Sequence, residues 1–89
     1  MMLTPAEILL RAAEQLRRHP EGWYRAGTSL ATVVVNVPGS WLDERRAALA
    51  LLRRHLGGTD GAYFLAEWSR ERGHEEAIEA LEQAARAAG

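Results

Sequence analysis

The sequence predicts an α+β fold: an N-terminal helix, a β-hairpin and three further helices in a single domain spanning residues 1–89. Three observations carry this expectation. A capped apolar pattern at three-and-four spacing opens the chain, a Thr- and Val-dense stretch follows between Gly22 and Pro38, and further helical patterns separated by glycines close it.

The first helix begins at Thr4-Pro5-Ala6-Glu7, where a hydroxyl cap, a proline at the first helical position and a glutamate three residues after the cap satisfy orphan amides reciprocally. Ile8, Leu9, Ala12, Ala13 and Leu16 then share one face, Arg11, Glu14, Arg17 and Arg18 take the wet side, and His19-Pro20 ends the run. Between Glu21 and Pro38, Gly22 and Gly27 bracket Trp23-Tyr24-Arg25, and residues 29 to 37 are rich in residues that pack on pleated surfaces. This reads as two strands joined near Gly27-Thr28. Alternation puts Val33, Val35 and Val37 on the buried face and Thr32, Val34 and Asn36 on the other. A lone hairpin is weak in water, so this one must lie against helices or pair across a dimer axis.

Ser40 is positioned to cap the next helix, whose apolar stripe runs through Leu42, Leu49, Leu52 and Leu56, widened by Ala48 and Leu51, until Gly57-Gly58. Residues 62 to 72 read as helix, with Phe64, Leu65 and Trp68 on one face, although a strand through Tyr63, Leu65 and Glu67 is also compatible. After Gly73 the last helix places Ala77, Ile78, Leu81, Ala84, Ala85 and Ala88 on one side and Glu75, Glu76, Glu79 and Glu82 around them.

Composition removes several classes of function. With 89 residues, 47% of them hydrophobic, there is room for one modest core, because a chain this short buries only somewhat over ~60% of its unfolded surface. The absence of cysteine excludes a disulfide scaffold, a cysteine zinc site and a thiol nucleophile. No apolar run approaches the ~20 residues that cross a bilayer, which leads to the expectation of a cytoplasmic protein without a membrane role. A net charge of -1 supplies no global field for nucleic acid. All eleven basic residues are Arg, as a GC-rich coding sequence would give.

Catalytic and metal motifs fail individually. Glu71-Arg72-Gly73-His74 has the Glu-x-x-His spacing of bridged metal sites, but Gly73 interrupts the helix and there is no second copy. His74-Glu75-Glu76-Ala77-Ile78 starts like a zinc protease helix and then puts Ile78 where the second imidazole belongs. His19 and His55 suit helix C-termini. Ser29, Ser40 and Ser69 have no His and carboxylate at recognisable spacing, and Gly57-Gly58-Thr59 is too short to cradle a phosphate. The expectation is a chain that is not an enzyme and needs no cofactor or metal.

Binding is the remaining class. Trp, Tyr and Arg dominate interaction hot spots, and Trp23-Tyr24-Arg25 puts all three together. Arg46 and Arg53 line up two helical turns apart as a basic stripe, placed opposite Leu42 and Leu49, that suits carboxylate or phosphate. The glutamates of the last helix are its electrostatic counterpart, within the fold or between subunits. Trp23, Tyr24, Arg25, Arg46 and Arg53 are therefore the candidate binding residues. A protein partner is the first expectation, with homodimerisation alongside, as for a small inhibitor or adaptor encoded by a phage or bacterium.

Two resemblances add to this reading. Gly22-Trp23 and the stretch from Trp68 to Ile78 resemble an uncharacterised family of short actinobacterial and phage proteins, which implies no known activity. Where that family has Asn-Asp after the Trp and a Cys-containing central helix, Ser69-Arg70 and a Cys-free centre stand here. Residues 31 to 72 are similar in layout to ribbon-helix-helix repressors: a strand over Thr32 to Val37, a Pro, a helix, a Gly-containing turn and another helix. That layout implies DNA as an alternative partner, with Thr32, Val34 and Asn36 aimed at bases, although Val34 cannot read a hydrogen-bonding edge.

Overall fold

The computed structural model describes residues 3–25, 29–58, 63–70 and 72–88, and the side chains of all of these except Tyr24 and Arg25. Among the described residues there are six helices and no strand: α1 (Pro5–Arg18), α2 (Glu21–Arg25), α3 (Leu30–Val35), α4 (Leu42–His55), α5 (Tyr63–Arg70) and α6 (His74–Ala88). The expected α+β class is therefore corrected to an all-helical one.

The hairpin fails for a reason visible in its own burial. Leu30, Val34 and Val37 are buried, Val33 is half-buried and Val35 is exposed. The buried set is spaced by four and three, a helical period, and not by the two that a strand imposes. Ser29 starts α3, its hydroxyl accepting from the Thr32 amide. Trp23, expected on the first strand, sits in α2. High β-propensity describes how a side chain fits a half-buried pleated surface; with no neighbouring strand to supply that surface, the helical packing of Leu30 and Val34 prevails. The turn expected near Gly27-Thr28 lies outside the described residues.

The other elements follow their sequence signals. α1 has the complete capping box, with the Glu7 amide donating to Thr4 Oγ1 at 3.1 Å and the Thr4 amide to Glu7 Oε1 at 3.0 Å. Its buried face is Ile8, Leu9, Ala12, Ala13 and Leu16, as the periodicity predicts. α6 buries Ala77, Ile78, Ala80, Leu81, Ala84 and Ala85. These two helices make the most extensive contact in the molecule, and α4 packs on both. Alanines on each side of the α1–α6 seam let the backbones approach closely.

α4 departs from its expected cap and stripe. Trp41 occupies the N-cap position without a side-chain cap bond, while Ser40 Oγ donates to the Val37 carbonyl at 2.6 Å. Only Ala48 and Leu52 are buried along α4; Leu49, Leu51 and Leu56 are half-buried and Leu42 is exposed. The helix ends on paired turns, Gly57 N–H to Arg54 O at 3.1 Å and Gly58 N–H to Arg53 O at 2.8 Å, with Gly57 at φ 76°. That left-handed position is where glycine carries no Cβ penalty. α5 resolves residues 63 to 70 as helix, with Leu65 buried and Phe64 and Trp68 packed against the core.

One apolar cluster joins all six helices. Ile8, Leu9, Leu30, Leu52, Leu65, Leu81, Val34 and Val37 are its fully buried large side chains, each worth about 1.5–3 kcal/mol relative to exposure. No helix among the described residues is long and apolar enough to cross a membrane.

Candidate interaction surface

Of the five residues expected to bind a partner, the structure describes the side chains of three: Trp23 on α2, and Arg46 and Arg53 on α4. Trp23 is 4% exposed, and its indole Nε1 donates to the Arg72 carbonyl at 2.9 Å. It is a core side chain that ties α2 to the corner between α5 and α6. Tyr24 and Arg25 follow it in α2, and their side chains lie outside the described set. Among the described residues there is no ribbon to carry this triplet on a free face, since α2 and α3 are helices.

Arg72 is the residue that organises this corner. Besides accepting from Trp23, it places its guanidinium 4.4 Å from the Trp68 ring centroid, donates from Nη1 to the Trp68 carbonyl at 2.6 Å and lies 3.7 Å from Glu76 Oε2. Ser69, one turn before it, is buried; its hydroxyl donates to Leu65 O at 2.6 Å and accepts from the Leu30 amide at 3.0 Å. Two of the three tryptophans are thus committed to internal structure. The sequence signal was the spacing of Trp68 and Arg72, one helical turn apart, a geometry that lets a guanidinium return over a ring.

The third tryptophan is the exposed one. Trp41 is 64% exposed and its neighbour Leu42 59%, both at the head of α4. Leu42, Arg46, Leu49 and Arg53 recur at steps of four, three and four, so they fall on one face of the helix. This corrects the placement of the arginines opposite the leucines: 100° per residue puts Arg46 only about 40° from Leu42. Arg46 is exposed and Arg53 half-buried, and neither takes part in an ion pair among the described residues. The Nε of Arg53 is buried with no hydrogen-bond partner. Arg45, by contrast, is engaged, donating from Nε to Ser40 Oγ at 2.6 Å and lying 3.5 Å from the Val37 carbonyl.

The acidic residues of α6 point elsewhere. Glu82 pairs with Arg17 at 2.8 Å and Glu76 with Arg72, so the expected pairing of the acidic ridge with the α4 arginines does not occur within the chain among the described residues. Glu75 and Glu79, with Arg17 and Glu82, wall a shallow groove of about 350 Å3 beside Ile78. A second groove of about 320 Å3 separates α1 from α3, where Thr32 and Asn36 stand over Leu16 and Val33. Val34, assigned with them to a base-reading face, is buried instead.

No group of three or more His, Asp or Glu side chains able to hold a metal ion occurs among the described residues. His19 caps α1 and lies 3.5 Å from Glu21. His55 stands in the last turn of α4. Glu71 of the Glu-x-x-His pattern lies outside the described residues.

Compared with protein-family models, with curated proteins and with solved structures, the chain matches none.

Proposed function

We propose that this chain is a small non-enzymatic protein-interaction module that binds through the outer face of α4. The observation that carries this reading is the exposed Trp41-Leu42 pair at the head of a stripe whose arginines are in no ion pair among the described residues. Single exposed apolar residues are ordinary. Trp41, Arg46 and Arg53 are of the residue types that concentrate binding energy when a partner excludes water from them, and Leu42 and Leu49 add apolar surface beside them. Arg46 and Arg53 add guanidinium groups in no ion pair among the described residues, and the fork of such a group matches a carboxylate.

The ribbon-helix-helix alternative loses its support, because the strand it requires is α3 and the ribbon's central side chain, Val34, is in the core.

The test compares Trp41→Ser and Arg46→Glu with the parent in affinity capture from the producing cell, followed by cross-linking of captured proteins to α4. Both substitutions fall on exposed side chains, so thermal melting should be unchanged while a specific partner is lost. Retention of every captured protein by both variants overturns the reading. A salt-dependent shift of duplex DNA by the parent, abolished by Arg46→Glu, overturns it in favour of phosphate contacts.

A further inference from the structure

The α4 stripe has a complement within the same chain. On α6, Glu75, Glu79, Glu82 and Arg86 recur at the same steps of four, three and four as Leu42, Arg46, Leu49 and Arg53 on α4. Glu75 and Glu79 are exposed and in no ion pair among the described residues, and they border the groove beside Ile78. A basic, apolar ridge and a groove bordered by Glu75, Glu79 and Glu82, in which Arg17 already pairs with Glu82, are therefore present on one molecule, and no ion pair joins ridge and groove among the described residues.

We infer that the occupant of the α4 face is the α6 groove of a second copy of this chain, in a head-to-tail contact. The inference rests on the reading of α4 as an interaction face and names its partner. Charge fixes the direction of the two helices. Run antiparallel, Arg53 meets Glu75, Leu49 lies opposite Glu79, Arg46 comes opposite Glu82, where it shares that carboxylate with Arg17 and has Glu79 one turn away, and Arg86 arrives beside Leu42. Run parallel, Arg53 would face Arg86, and like charges in register oppose the contact. The antiparallel arrangement also sets the basic last turn of α4 against the acidic first turn of α6, in accord with both helix dipoles. Symmetric pairing of α4 with itself supplies no acidic partner from this stripe and, centred on Leu49 and Ala50, brings Arg46 against Arg53. A contact between two different faces leaves one of each unfilled at the ends, so it propagates into a ring or an open chain instead of stopping at a dimer.

Sedimentation equilibrium of the full chain tests this. The parent should rise above monomer mass with protein concentration at low salt and return to monomer at about 1 M salt, where screening acts within ~3 Å. Arg46→Ala/Arg53→Ala and Glu75→Ala/Glu79→Ala should each stay monomeric alone. Mixed one to one, each supplies the face the other lacks, and the mixture should form a dimer and nothing larger. Should the arginine double variant melt early, Arg46→Glu at its exposed position replaces it. A parent that stays monomeric at low salt, self-association by either variant equal to the parent's, or a mixture that remains monomeric overturns the inference. A monomeric parent that still loses a captured protein on Trp41→Ser removes the second copy as occupant and leaves α4 as an interface for another chain.

Discussion

The indole Nε1 of Trp23 donates to the backbone carbonyl of Arg72 at 2.9 Å, across 49 residues of sequence. This bond fixes α2 to the α5–α6 corner, and the same arginine closes that corner by stacking on Trp68. Trp23→Phe keeps most of the apolar volume and removes the donor, leaving a part-buried carbonyl without its partner. The expected loss is about 1–3 kcal/mol, and Trp23→Ala, which also opens a cavity, should cost about 3–5 kcal/mol. Urea unfolding of the two variants checks both values. Equal stability of Trp23→Ala and the parent would contradict the assignment of this tryptophan to the core.

Ser69 makes the second long-range tie. Its hydroxyl is the acceptor for the Leu30 amide, the first N–H of α3, in a buried position. Ser69→Ala strands that donor and should destabilise the fold by about 1–3 kcal/mol. Hydrogen exchange localises the effect: the Leu30 amide should lose protection well before the amides of α1, whose partners are within its own helix.

Glu7 predicts an acid-side dependence at the start of α1. The Thr4 backbone N–H, and secondarily the Thr4 side chain, hold its carboxyl below the ordinary glutamate value. The folded pKa is depressed, so the stabilisation is present above the unfolded value and is lost as pH falls through the folded one. Carboxyl carbon NMR should give Glu7 a lower midpoint in the native chain than in the urea-unfolded chain. Thr4→Ala should narrow that difference. Identical midpoints in the two states would mean that the capping box does not persist in solution.

How much of this was readable from residues alone depended on whether one signal settled a segment or two competed. α1 was legible because cap, periodicity and terminator agreed, and α6 because its three-and-four apolar spacing runs unbroken after Gly73. Residues 29 to 37 were not, because Val and Thr report the surface they fit and the chain supplies no second strand; the Leu30, Val34, Val37 spacing held the answer. On α4, six apolar positions at compatible spacing were available, and contact with α1 and α6 selects Ala48 and Leu52, turning Leu42 outward. That choice depends on helices distant in sequence. It moved the candidate surface from Trp23 to Trp41, while Arg46 and Arg53 stayed in it.

The two glycines that end α4 should fail for different reasons. Gly57 has φ 76°, so Gly57→Ala forces a side chain into the left-handed region at a cost of about 1–2 kcal/mol, with open space around the new methyl group. Gly58 has no such φ, but a Cβ there would overlap the Phe64 ring, and Gly58→Ala should cost about 1–3 kcal/mol through overpacking. A double-mutant cycle separates the two. In a Phe64→Leu background the penalty at position 58 should shrink, because the smaller side chain can yield, and the penalty at 57 should stay as it was. Equal coupling of Phe64 to both positions would show that the ring and the turn respond as one unit and that backbone conformation alone does not account for Gly57.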